Sequence, residues 1–305
     1  MVRLSLLTVL LLATACEASP APVAPAPATP APATPAPATP TPAPEAAPAN
    51  TRTALHDGLS ATAWFQTSAE FEAAALQTYN TATHALDRAL ADKRWTAALE
   101  QDGKFAKLPP AIIVDVDETV LDNSAYQARL IADGAEFDKE TWAAWVGEAK
   151  ATAIPGAREF LTAAAKKGVR VFYVSNRDAG VQAEDTRKNL AALGFPDADD
   201  LGTFYFRDDS KGWKQKSPRR REIASKHRVV IVVGDNLFDF VEEDKPARDR
   251  RAALVTEHSA WWGARWFVVP NPMYGSWDEA LIAYDARQPS ADKQRLRVAA
   301  LDPAR

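Results

Sequence analysis

Two aspartates, Asp115 and Asp117, close an apolar run in the segment AIIVDVDETVLDN, residues 111–123. Paired carboxylates can do three things: one attacks an electrophile, one carries a proton, or both hold a cation. On an extended segment, side chains spaced i, i+2 lean the same way, so both can serve one site. Two further apolar runs end in polar groups. VFYVSNR delivers Ser175, Asn176 and Arg177, and VVIVVGDNLFD delivers Asp235, Asn236 and Asp239. Between them lies KGWKQKSPRRR, rich in lysine and arginine. Carboxylates that repel one another need a counter-charge, and oxygen ligands with room for water suit Mg²⁺. A calcium loop starting at Asp115 is excluded, because its sixth and twelfth positions are Val120 and Tyr126 where Gly and Glu are required.

The elements that must position these groups are legible as a pattern. AIIVDV, VRVFYVS, VVIVVG and RWFVV are apolar runs of strand length, and LGTFYF reads as another. Helix-length segments separate them, which predicts parallel strands covered on both faces, an α/β doubly wound sheet. Ligands then bind beyond the carboxyl ends of the strands, where the polar residues fall. TSAE, with Thr67 as cap and Glu70 three later, predicts the start of a long helix reaching about Leu90. FDKETWAAWVGEAK predicts a helix capped by Asp138. IPGAREFLTAAAKKG starts at Pro155 and stops at Gly168, and AEDTRKNLAALG stops at Gly194. Residues 124–152 interrupt the alternation and are expected as a small helical cap insertion.

Outside this domain, expected over residues 59–288 with a C-terminal tail at 289–305, the chain has a different character. MVRLSLLTVLLLATAC has one basic residue, an apolar run and small residues before Cys16, the layout of an exported protein's signal segment over residues 1–16. The run is too short to span a bilayer. Cys16 is the only cysteine, so no intrachain disulfide can form. Its place matches a bacterial lipobox except for Ala13, where Leu is usual; acylation of Cys16 is one reading, cleavage with a free thiol the other. Residues 17–58 hold 12 of the 22 prolines in a PAPAT period. Such a chain is extended or disordered and reaches on the order of 90 Å over about thirty residues. The net charge of −4 gives no general attraction for nucleic acid, and no stacking aromatic beyond Trp213 interleaves the basic segment.

DVDET, VFYVSNR and VVGDNLFDF resemble the motifs of the haloacid dehalogenase superfamily. WFQTSAEFEA, VLDNSAYQARL, TWAAWVGEAKATAIPGA and VPNPMYGSWDEA narrow the resemblance to class C bacterial acid phosphatases, lipoprotein 5′-nucleotidases of subfamily IIIB. The likeness covers roughly residues 61–280. It implies a Rossmann-like α/β fold with a cap and an N-terminal helical segment. It implies Asp115 as nucleophile and Asp117 as acid/base. It implies Mg²⁺ on Asp115, Asp235 and the Asp117 backbone carbonyl, with Asp239 in support. Ser175 and Asn176 would bind phosphate with a lysine. Lys216 aligns best, and Lys211 and Lys214 compete. Trp142 and Tyr274 would sandwich a base ring, with Trp64 on the same wall, while one of Trp142 and Trp145 packs the insertion. A pure surface turn is expected for Glu118, and an exposed helix start for the remaining cations.

The expected activity is hydrolysis of 5′-nucleotides and aryl phosphates in the cell envelope, on an outer-membrane lipid anchor. A soluble periplasmic or secreted enzyme is the alternative location. A catalytically weak nucleotide-binding lipoprotein and a phosphotransferase are the alternative functions. A homodimer is open as the assembly.

Overall fold

The structure, a computed structural model, describes residues 56–304. The expected signal segment, Cys16 and the proline-rich segment as far as residue 55 lie outside the described residues.

Two helices open the fold, α1 (Leu59–Thr67) and α2 (Ala69–Ala91). The cap of α2 is Ser68, whose Oγ accepts the Phe71 N–H at 3.1 Å, one residue later than the sequence pattern implies. Thr67 is unavailable because it closes α1, its hydroxyl donating to the Ala63 carbonyl at 2.7 Å. Strand β1 (Pro110–Val114) follows, with proline at the strand's first residue, where a missing N–H is tolerated. A tight turn returns the chain into a two-residue strand, β2 (Leu121–Asp122). The insertion then forms α3 (Ser124–Asp133) and α4 (Lys139–Glu148) and leaves through β3 (Thr152–Ala153). β2 and β3 pair antiparallel, so the cap stands on a two-stranded stem. Asp138 caps α4 as its sequence demands, accepting the N–H groups of Glu140 and Thr141.

The alternation then resumes: α5 (Ala157–Lys166), β4 (Arg170–Asp178), α6 (Ala183–Ala192), β5 (Phe204–Arg207), α7 (Lys216–Lys226), β6 (Arg228–Gly234), α8 (Arg248–Glu257), β7 (Trp266–Val268) and α9 (Ser276–Leu281). The first residues of LGTFYF are a 3-10 turn, and only its aromatic part is strand. The C-terminal tail carries a further helix, α10 (Ser290–Ala299), tied down by Arg297 to Asp278 and Asp57 and by Lys293 to Glu136. Among the described residues no helix is long and apolar enough to cross a membrane.

All five main strands run parallel in the order β5-β4-β1-β6-β7. Residues alternate between the faces as the pleat requires. Ile112, Val114, Val171 and Tyr173 join a core with α2 and α5, whereas Ala111, Ile113, Phe172 and Val174 join a second core with α7. β1 is the central strand. Its end lies between the ends of β4 and β6, so the residues after each come together at one crevice.

Candidate active site

Asp115 follows β1, and its backbone N–H still donates to the Val233 carbonyl of β6 at 3.0 Å. Its carboxylate is almost fully buried. Asp235 and Asp239 arrive from the turn after β6, and one oxygen each of Asp115, Asp235 and Asp239 lie within 4.8 Å of one another. Lys216, the first residue of α7, bridges Asp115 and Asp239, with 2.6 Å to Asp239 Oδ1. Lys211 and Lys214 are exposed, and Lys211 pairs with Asp208 at 3.2 Å. Of the three lysines open in the sequence, the fold brings Lys216 to the aspartates.

Electrostatics explain what this cluster requires. Burial, with Asp239 and Asp117 nearby, pushes the Asp115 carboxyl from 3.8 to about 7, against the lowering effect of Lys216. Burial and the charges of Asp239 and Asp115 push Asp235 well above the usual carboxylate range, with only Asn271 Nδ2, at 2.8 Å, and Lys216 opposing. Three hard oxygen donors facing one ammonium form a site with excess negative charge, and a divalent cation fits both the donor chemistry and the charge.

Asp117 is set apart from that group. Its Oδ1 accepts from Arg177 Nε at 2.9 Å and Asn123 Nδ2 at 3.0 Å, with Arg177 Nη2 in ion-pair contact at 2.8 Å. Its Oδ2 faces Ser175 Oγ at 3.4 Å. The two aspartates of DVDET therefore sit in different environments, one against a lysine and one against an arginine. Such separation lets two carboxyls take different roles.

One face of α7 ties the motifs together. Lys216, Arg219 and Arg220 are spaced i, i+3, i+4 and so share a face. Arg219 is fully buried and donates to the carbonyls of Ser175 and Tyr205 and, at 2.6 Å, to Asn176 Oδ1. Arginine has only donors, so Asn176 must turn its oxygen to Arg219, which leaves its amide N–H groups pointing elsewhere on an exposed side chain. Arg220 pairs with buried Glu100 and holds the Phe238 and Asp239 carbonyls at 3.0 Å. The expected exposed basic helix start is thus overturned for Arg219 and Arg220. Their spacing was the signal that could have found them.

Glu118 corrects a second expectation. It is fully buried, not a surface turn residue. The turn places it at φ 56, and its Oε1 accepts the Asn123 N–H at 2.7 Å. Burial first, then Asp117 and Asp235, raise its carboxyl well above the usual range. Gly234 is also dictated by the site. A Cβ there would lie 2.2 Å from Asp239 Oδ2, so only glycine lets that side chain fold back.

The aromatic residues divide. Trp142 in the cap lies edge-on to Tyr126, its centroid 5.4 Å from the Arg177 guanidinium, and so reaches the site's edge. Trp145 is buried and is the tryptophan that packs the insertion, its Nε1 donating to Asn123 Oδ1 at 2.9 Å. Tyr274 is half-buried in a loop pinned to the β6 turn by the Asn271–Asp235 and Ser276–Asn236 hydrogen bonds. Trp64 sits on α1 against Phe71, 37% exposed, with no contact joining it to the aspartates.

Comparison with known proteins agrees with this geometry. Residues 42–277 match the haloacid dehalogenase superfamily, subfamily IIIB (acid phosphatase). The class C acid phosphatase of Bacillus anthracis is 36% identical, with a TM-score of 0.73 over 81% of this chain and 98% of that one. A second structure of that enzyme, with tungstate bound, is 35% identical, with a TM-score of 0.73 over 82% of this chain and 98% of that one. The strand-end aspartates and the parallel sheet define a haloacid dehalogenase-type phosphomonoesterase. Within that class, the chain belongs to the subfamily IIIB acid phosphatases, of the class C type.

Proposed function

We propose that this acid phosphatase hydrolyses nucleoside 5′-monophosphates and aryl phosphates, uses Mg²⁺, and works in the cell envelope tethered through Cys16. The observation that carries the chemistry is the division of DVDET, with Asp115 in the lysine-bridged acidic cluster and Asp117 on Arg177.

An Asp115 carboxylate oxygen attacks phosphorus, and the ester P–O bond breaks as Asp117 passes a proton to the leaving oxygen. Water then attacks the aspartyl-phosphate while Asp117 takes its proton, releasing inorganic phosphate and restoring Asp115. Lys216 and Ser175 orient the phosphoryl oxygens, with the Asn176 amide beside them. Asp115, Asp235, Asp239 and the backbone carbonyl of Asp117 would hold Mg²⁺, which offsets charge on the transferring group when bound. The nucleotide preference draws support from Trp142 at the edge of the site and Tyr274 on a loop fastened to Asp235, since flat rings accept bases of any identity.

The test is a substrate panel of AMP, other nucleotides, p-nitrophenyl phosphate and a sugar phosphate, with EDTA or Mg²⁺. Metal-dependent release from nucleotides and aryl esters above sugar phosphates is expected. Full activity in EDTA, or a preference for sugar phosphates, contradicts the reading. Fatty-acid labelling lost in Cys16→Ser tests the tether.

A further inference from the structure

The acid/base carboxylate is held by a buried amide that also touches the cap. Asn123 is fully buried between β2 and α3. Its Oδ1 accepts from Trp145 Nε1 at 2.9 Å and from Arg177 Nη2 at 3.1 Å. Indole and guanidinium groups only donate, so the oxygen must face them, and Nδ2 must face the Asp117 carboxylate at 3.0 Å. The amide's orientation is therefore fixed by its partners. Its backbone is fixed as well, by the hydrogen bond from its N–H to Glu118.

This arrangement distinguishes the two oxygens of Asp117. Oδ1 takes two donors, Arg177 Nε and Asn123 Nδ2, and the Arg177 Nη2 ion-pair contact. Oδ2 meets only Ser175 Oγ, at 3.4 Å. A proton on Oδ1 would confront groups that only donate; a proton on Oδ2 would meet a hydroxyl that can turn to accept it.

We propose that Asn123 is a positioning residue for proton transfer. It holds Asp117 so that Oδ2 carries the proton, and it links that geometry to the cap through Trp145 on α4. The inference rests on Asp117 acting as the general acid. It goes beyond that role by naming what aims the acid and which oxygen it uses.

Substrates differing in leaving group test it. Nitrophenolate leaves with little help, whereas the alkoxide of AMP needs the proton, and kcat/KM reports the step in which that oxygen leaves. Asn123→Asp keeps the shape and the two acceptor contacts but removes the donor to Asp117. Its kcat/KM for AMP is expected to fall roughly tenfold or more beyond its fall for p-nitrophenyl phosphate, a part of the ~10²–10⁴ that general acid catalysis supplies. Trp145→Phe, which keeps an apolar ring and removes the N–H, should show the same bias at smaller size, and decides the matter should Asn123→Asp fail to fold. Equal losses on both substrates in a folded variant overturn the proposal. Asp117→Asn separates the two levels. If its losses favour neither substrate, the general-acid reading fails and the positioning claim with it. If they fall mainly on AMP while the Asn123 and Trp145 variants show no bias, only the positioning claim fails.

Discussion

The guanidinium of Arg177, buried with 2% of its side chain exposed, grips Asp117 Oδ1 through Nε and Nη2 at 2.9 and 2.8 Å. Its other hydrogen bonds go to Thr186 Oγ1 at 2.9 Å and Asn123 Oδ1 at 3.1 Å. Three directed hydrogen bonds and an ion-pair contact from one planar fork cannot be copied by an ammonium. Arg177→Lys is therefore expected to lower kcat/KM for AMP roughly a hundredfold, because a misplacement near 1 Å costs about that much. Steady-state kinetics on AMP check it, and wild-type activity in the variant contradicts it.

The Glu100–Arg220 pair predicts a coupling. Both side chains are buried, and Arg220 also satisfies the Asp239 carbonyl. Removing one partner strands the other charge, at about 3–5 kcal/mol. Arg220→Met should show that loss in urea unfolding, and the double change with Glu100→Gln should cost less than the sum of the single ones. Additive losses would show that the pair is not coupled.

Much of this is readable in the sequence. Apolar runs ending in polar groups survive as strand ends because a parallel strand is buried along its length and only its carboxyl end meets the crevice. Asp115, Asp117 and Asp235 follow from that rule and the family phrases, whereas Lys216 is readable only as one of three candidates with Lys211 and Lys214. Glu118 was not legible, because its burial depends on a left-handed turn and on a hydrogen bond from a residue five further on. Arg219 and Arg220 were readable in spacing but not in destination, since a cation on a helix is ordinarily solvated and only the packed fold shows the carbonyls awaiting it. Asn123 carried a family phrase, yet its partners come from β4 and the cap, which no local pattern connects.

Gly234 should tolerate no side chain. Alanine would place its Cβ 2.2 Å from Asp239 Oδ2 and 2.5 Å from Asp239 Cβ, displacing the residue that Lys216 holds. Gly234→Ala is expected to lose roughly a hundredfold in kcat. It should also weaken Mg²⁺ binding in calorimetry. Unaltered binding would mean that Asp239 does not support the cation.

Metal removal should make stability fall with pH. The Asp115 carboxyl rises from 3.8 to about 7 through burial first, and Asp235 rises for the same reason. A raised carboxyl binds its proton more tightly in the fold, so its contribution is full below about pH 4 and is lost as pH rises through about 7. A divalent cation bound there would take the proton's place. The rise in thermal midpoint from EDTA to Mg²⁺ should therefore be larger at pH 8 than at pH 5. A rise independent of pH across that range contradicts this account of the cluster.

The central claim is that Asp115 becomes phosphorylated. The direct measurement is acid quenching during turnover of ³²P-labelled p-nitrophenyl phosphate with Mg²⁺, followed by peptide mapping. A hydroxylamine-labile phosphate on the peptide carrying Asp115, absent from Asp115→Asn together with turnover, is the predicted result. Label on another residue, or sustained turnover by Asp115→Asn, would contradict it.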